Sequence, residues 1–162
     1  MMTLPSDDLG RFQQDSDVSA LLRYAAATGL DVPEIHEVLT NLDPIFTALA
    51  YGLHPNIASL DRVALQSHAK STAQVARAMV GSDRADLKSA GLQIIGLLDD
   101  PQLMDILLEA LHSETTWLRL TAIEALGRMS AVYSRPVLET MAQHKDLVTR
   151  RAVAEALARL TS

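Results

Sequence analysis

The chain of 162 residues has a formal net charge of −6, which disfavours a nucleic-acid partner because nucleic-acid binders neutralise phosphates with a basic surplus. It contains no cysteine, so disulfides, thiolate metal sites and cysteine nucleophiles are excluded. Hydrophobic residues make up 48% of the chain and aromatic residues only 4%. The core must therefore consist of aliphatic side chains, which favours packed helices over a β-sandwich.

The first residues resemble neither a signal peptide nor a structured element. Residues 1–14 mix proline, glycine and aspartate with little periodicity, which predicts a mobile N-terminal segment. They lack a basic stretch followed by an apolar run, and no later apolar run reaches the roughly 18 residues of a membrane span. We therefore expect a cytoplasmic protein with no signal peptide and no contact with a membrane.

Residues 15–66 predict a divergent helical region that includes a possible degenerate repeat. Apolar positions at helical spacing predict a first helix over residues 18–29. Pro33 and Pro44 suit the first turns of two further short helices. A fourth short helix is predicted over residues 56–67.

From residue 67 to residue 162 the sequence repeats itself every 31 residues. The segment Glu124 to Met129 returns as Glu155 to Leu160, and Gly96 stands 31 residues before Gly127. A fixed period between about 20 and 50 residues is typical of a solenoid, in which each unit buries its apolar face by stacking on its neighbours.

Three helical hairpins follow from this period, at about residues 71–98, 102–129 and 135–160. Asp100 is predicted as an N-cap, and Pro101 and Pro136 are predicted in first turns. Small residues recur on the second helix of each hairpin, where they let neighbouring helices approach closely.

The residues of the second and third hairpins resemble a known family of repeats. The segment Leu107-Leu108-Glu109-Ala110-Leu111, a polar turn, Leu118-Arg119 and Glu124-Ala125-Leu126-Gly127 together resemble a HEAT-like repeat of the kind found in phycobilin lyase subunits. Arg150-Arg151-Ala152 with Glu155-Ala156-Leu157-Ala158 resembles the same pattern. The resemblance implies a right-handed α-solenoid of antiparallel helical hairpins. With the all-α class expected from composition, we predict that the helices before residue 67 form a divergent N-terminal cap and, from the chain length, that the whole chain is one domain. Departures are Ser82, Ser113 and His144 at a turn position that is commonly Asp, and Thr149 where an aliphatic residue is usual.

No combination of residues predicts catalysis. The histidines are His36, His54, His68, His112 and His144, and no two of them have the spacing of a helical metal site. Asp99 and Asp100 form a carboxylate pair, but Pro101 directly after them favours helix capping. Glycine-rich phosphate loops and the Gly-x-Ser-x-Gly motif are absent. We expect no enzyme activity, no metal and no cofactor.

The candidate binding residues lie on the second helices, which line the concave side of such solenoids. They are Trp117, Leu120, Glu124, Arg128, Arg151 and Glu155. Trp117 either packs over the turn or serves as an exposed anchor, and Leu120 and Ile123 lie off the predicted buried stripe and extend such an anchor into a patch. The arginines Arg128, Arg150, Arg151 and Arg159 either pair with Glu124 and Glu155 or provide a basic surface.

The sequence is compatible with three functions. The leading interpretation is a non-enzymatic protein-binding or adaptor and scaffold module that presents a concave face to another protein. The alternative is a subunit or relative of a bilin (tetrapyrrole) lyase, because the repeat pattern resembles those proteins. The third is a DNA-binding HEAT-like superhelix that uses the arginines.

Leu126 lies in the central repeat, where a buried side chain has neighbours on both sides. We predict that Leu126→Ala lowers the free energy of unfolding by roughly 2 to 5 kcal/mol because it removes buried methyl groups and leaves a cavity. Urea denaturation measures this, and a midpoint equal to that of the wild type would contradict the predicted burial.

Overall fold

The computed structural model describes residues 32–53 and 55–161, and within these ranges all regular structure is helical, with no strand. The α-helices are α1 (Val32–Asn41), α2 (Asp43–Ala50), α3 (Arg62–Ser67), α4 (Ala69–Val80), α5 (Ala85–Leu98), α6 (Met104–Leu111), α7 (Thr116–Leu126), α8 (Ala131–Thr140) and α9 (Leu147–Thr161). The predicted all-α class is confirmed. The mobile segment predicted over residues 1–14 and the helix predicted over residues 18–29 lie outside the described residues.

The chain divides into two compact units between Gly91 and Leu92, inside α5. In the first unit, α1 packs against α2, α3 and α4, and α3 packs against α4. Pro33 lies in the first turn of α1 and Pro44 in the first turn of α2, as predicted. The large buried side chains of this unit include Leu42, Ile45, Phe46, Leu65, Val75, Met79 and Leu87.

The helix predicted over residues 56–67 is wrong as a single element. Residues Ile57–Ser59 form a 3₁₀ turn, and α3 begins only at Arg62. Asp61 causes the break, because its extended backbone and its side chain, which accepts the Ala64 N–H at 3.2 Å, make it the N-cap of α3.

In the second unit, α7 packs against its neighbours α6, α8 and α9, and α8 packs against α9. The buried aliphatic side chains include Leu92, Ile94, Ile95, Leu107, Leu111, Leu126, Leu138 and Val153. Leu126 is 0% exposed, so its predicted burial is confirmed. Ile123 is only 1% exposed, so the prediction that it lies off the buried face is wrong. The side of α7 that carries Ile123 is covered because α9 packs along it.

The first helices of the second and third repeats start differently. Asp100 is an N-cap as predicted, since its side chain accepts the Gln102 N–H at 2.9 Å, although Pro101–Leu103 form a 3₁₀ turn before α6. The first-turn position predicted for Pro136 is wrong. Helix α8 begins at Ala131, which places Pro136 inside it.

Asp99 explains the early start of α8. Its carboxylate accepts the Ser130 N–H at 2.8 Å and the Ser130 hydroxyl at 2.6 Å, so the chain is held where the helix begins. Asp99 has φ of 53°, a left-handed conformation that costs a non-glycine residue about 1 kcal/mol. The two hydrogen bonds offset that cost. Both residues belong to the second unit and stand 31 positions apart.

Successive second helices meet at glycine and alanine. A methyl group on Gly96 would lie 2.7 Å from the carbonyl oxygen of Ala125 and 3.0 Å from its Cα. One on Gly127 would lie 3.2 Å from Cβ of Ala156. Gly127 directly follows α7, which ends at Leu126 rather than at residue 129 as predicted. The predicted close backbone contact is confirmed at Gly96, whereas the tightest approach at Gly127 is to the methyl carbon of Ala156.

The two glycines should differ in their response to a methyl group. We predict that Gly96→Ala lowers the free energy of unfolding by about 1 to 3 kcal/mol, because the clash is with backbone atoms that must shift. Gly127→Ala should stay within about 1 kcal/mol of the wild type, because the new methyl group would lie 3.2 Å from Cβ of Ala156, a much smaller overlap than at Gly96. Urea denaturation of both variants measures the difference, and equal midpoints would contradict it.

Candidate functional site

Helices α7 and α9 lie side by side in the second unit and form a surface groove of about 380 Å³. Its lining residues are Leu120, Ile123, Glu124, Val148, Arg151, Ala152, Glu155, Ala156 and Arg159. Four of the six residues predicted as a binding site therefore lie together: Leu120, Glu124, Arg151 and Glu155. Trp117 and Arg128 do not line this groove.

Helical spacing explains why these residues lie together along the groove. On α9 its residues recur at intervals of three and four, from Val148 to Arg159, and such positions share one face of a helix. On α7 the residues Leu120 and Glu124 are likewise one turn apart. The groove is bounded by apolar side chains at Leu120 and Val148, and Val148 is 52% exposed.

Trp117 lies in the first turn of α7 and is 39% exposed. The protein covers the larger part of this side chain, and the remainder reaches solvent. Its backbone carbonyl accepts the Thr121 hydroxyl at 2.8 Å. The role of Trp117 as a binding anchor stays a prediction.

Arg128 is engaged within the second unit. Its guanidinium donates from Nη1 to the side-chain oxygen of Gln93 at 2.7 Å and from Nη2 to the Glu124 carboxylate at 3.4 Å. The predicted ion pair between Arg128 and Glu124 is confirmed. Because Gln93 is buried, this bridge fixes Glu124 at the edge of the groove.

Arg151 and Glu155 are both exposed and stand one turn apart on α9. In residues 32–53 and 55–161, neither side chain takes part in an ion pair or a hydrogen bond. The groove thus offers one cation and one anion whose hydrogen-bonding capacity is unused.

The same hydrogen bond from a backbone N–H to a side chain recurs in three turns between consecutive helices. Ser82, Ser113 and His144 stand 31 residues apart, and the side chain of each accepts the backbone N–H two residues further on, at 3.1, 3.1 and 3.0 Å. These three residues occupy the position that is commonly Asp, and they perform the same local capping through Oγ or Nδ1. The acceptor role of His144 requires Nδ1 to carry no proton.

The profile of the family described as HEAT repeats matches residues 72–158, more than half of the chain. The chain belongs to the HEAT repeat family. The match spans the repeats predicted from the 31-residue period. Comparison with curated proteins and with solved structures finds no match.

A buried arginine links the turn ends of the second and third HEAT repeats through hydrogen bonds. Arg119 is 9% exposed, and its Nη1 donates to the Ser113 carbonyl at 2.9 Å. Its Nε donates to the Thr149 hydroxyl at 3.3 Å, and its Nη2 donates at 3.3 Å to both the Thr116 hydroxyl and the Asp146 carboxylate. Asp146 and Thr149 come from the third repeat, so Arg119 joins the two repeats.

Two features of the sequence indicate the hydrogen bonds that Arg119 makes. Arg150 stands 31 residues after Arg119, and its Nη1 donates to the carbonyl of His144 at 2.8 Å, just as Arg119 does to the equivalent Ser113. The polar Thr149 at a position that is usually aliphatic is the second sign, because its hydroxyl is needed by Arg119. Equating positions 31 residues apart would have found both.

A second groove, of about 520 Å³, lies beside this cluster and is lined mainly by polar residues, including His112, Glu114, His144 and Lys145. The Arg119 guanidinium at its edge already has four partners within the protein. Among the residues that the structure describes, no three His, Asp or Glu side chains are placed to hold a metal ion. None of the described helices is long and apolar enough to cross a membrane.

The hydrogen bond from the Thr149 hydroxyl is the main reason that the pKa of the Asp146 carboxyl lies below its ordinary value of 3.8. That bond is 2.7 Å long. Backbone N–H groups and Arg119 act in the same direction and outweigh partial desolvation, which raises the pKa. Since the folded protein binds this proton less well than the unfolded chain, the ionised carboxylate stabilises the fold above pH 3.8.

We predict that Asp146→Asn is less stable than the wild type at about pH 7, and that the difference shrinks as the pH falls below 3.8. Chemical denaturation across this pH range measures it. Asp83→Asn, in an exposed turn, is the matched control. A difference in unfolding free energy that stays constant from about pH 7 to about pH 3 would contradict the assignment.

Proposed function

We propose that this HEAT-repeat protein is a non-catalytic protein-binding or adaptor module, and that the groove between α7 and α9 contains its main contacts. The observation that carries the proposal is that this groove joins exposed apolar surface to two charged side chains, Arg151 and Glu155, that have no partner among the residues the structure describes. Protein interfaces combine such an apolar centre with a polar rim that sets the register.

The chemistry of the lining residues supports binding over catalysis and over nucleic acid. The lining set holds no His, Ser or Thr that would act as a nucleophile beside a base. It holds Glu124 and Glu155 next to its arginines, and carboxylates in the groove repel a phosphate backbone. A relationship to bilin lyases rests on the sequence resemblance alone, and a visible absorbance change on adding a bilin would support it.

The finer architecture belongs to the same proposal. The repeats are proposed to stack as antiparallel hairpins in a right-handed solenoid, with the helices before residue 67 as its divergent N-terminal cap and the second helices on the concave side. The recurrence of glycine and alanine where second helices meet supports regular stacking. The cytoplasmic location expected from the sequence is also part of this proposal.

We predict that Arg151→Glu and Trp117→Ala each reduce capture of a protein partner about fivefold or more, which corresponds to about 1 kcal/mol. Capture is measured by affinity pull-down and mass spectrometry. Arg151 is exposed on α9, so Arg151→Glu should leave the melting temperature close to that of the wild type.

Arg77→Glu is the matched control, since Arg77 is exposed on α4 and undergoes the same change of charge. It should keep full capture. If Arg151→Glu and Trp117→Ala both bind as well as Arg77→Glu does, the partner surface lies elsewhere. A loss in Trp117→Ala that only accompanies unfolding would assign the tryptophan to the core.

A further inference from the structure

We propose that a second copy of this chain occupies the groove, with α9 of the two copies lying antiparallel across a two-fold axis. The inference rests on the proposed function, because it names the partner of the same groove. Its basis is the order of charges along α9, which is complementary to itself.

The charge order on α9 has the symmetry that a two-fold contact requires. Arg151 precedes Glu155 by one helical turn, a separation of about 6 Å along the axis at 1.5 Å per residue. When two such helices run antiparallel, Arg151 of each copy lies opposite Glu155 of the other. A single contact therefore forms two identical ion pairs, as an isologous interface demands.

The same register places compatible side chains on either side of the ion pairs. Leu147 then lies opposite Arg159 of the second copy, whose aliphatic stem can cover this exposed side chain while its charged end reaches solvent. Ala152 lies close to the axis, where a small side chain allows the helices to approach.

The surface around this register is apolar and exposed. Leu147 is exposed beside Val148 at the start of α9, and Trp117 is 39% exposed in the first turn of α7. Exposed apolar side chains grouped at one end of two adjacent helices favour a protein contact over contact with water alone. A second copy supplies both this cover and partners for Arg151 and Glu155.

Charge-exchange variants test the proposal by sedimentation velocity and multi-angle light scattering, from about 1 µM to about 1 mM protein. The wild type is expected to dimerise as concentration rises. Arg151→Glu and Glu155→Arg alone should each raise the dimer Kd about tenfold or more, because each variant places like charges opposite each other. Mixing these two variants should restore a dimer, since one chain then carries two acidic residues at the facing positions and the other carries two basic ones.

The double variant Arg151→Glu with Glu155→Arg should also dimerise, because its reversed charge order is again self-complementary. Its acidic residue precedes its basic residue by four positions, an order that suits an isolated helix at least as well as the native one. Circular dichroism of every variant checks that α9 stays folded, and Arg77→Glu controls for the change in net charge.

A wild type that stays monomeric at about 1 mM overturns the inference, as do single variants that dimerise as tightly as the wild type. The proposed function and the proposed dimer can fail independently of each other. A monomer that still captures another protein through Arg151 keeps that function and rejects the second copy. A charge-dependent dimer whose capture of other proteins ignores Arg151 keeps the second copy and rejects the groove as their binding site.

Discussion

Close backbone contact between successive second helices is the constraint on which the second unit depends. Gly96 meets the backbone of Ala125, and one repeat later Gly127 meets the methyl carbon of Ala156 at a longer distance. Only residues without long side chains fit at these crossings, because a methyl group on Gly96 would already touch backbone. Larger side chains must lie on the neighbouring ridges of α7 and α9, and those ridges bound the groove. The close approach of the helices thus accounts for both the small residues at the crossings and the groove beside them.

A polar network holds the turn end of the same helices. Arg119 is almost fully buried, and an arginine in that position is tolerated only because its donors have partners. Those partners include Thr149 and Asp146 at the start of α9, so the network fixes where α9 begins. Val148 and Arg151 follow within one turn, and a groove with fixed walls loses less entropy on binding.

The sequence revealed what lies within a repeat better than what joins repeats. Apolar spacing located the helices of the second unit, and the Asp-Pro pair located Asp100 as a cap, because both depend on neighbouring residues. These local signals misplaced the start of α8 and the exposure of Ile123, because Asp99 and α9 act from one repeat away. Of the candidate site, the four residues at helical spacing meet in the groove. Arg128 does not, because it is drawn to Gln93 on another helix, which no spacing rule predicts.

The charge of the groove differs from the charge of the chain. Two acidic and two basic side chains line it, Glu124 and Glu155 against Arg151 and Arg159, so its formal charge is zero although the chain carries −6. At physiological salt, exposed charges act over only about 8 Å, so distant carboxylates contribute little to a contact made at this surface. A second acidic chain can therefore approach here with less repulsion than at a surface bearing the average charge. Since Glu124 is already paired with Arg128, the order of Arg151 and Glu155 decides which partner orientation is favourable.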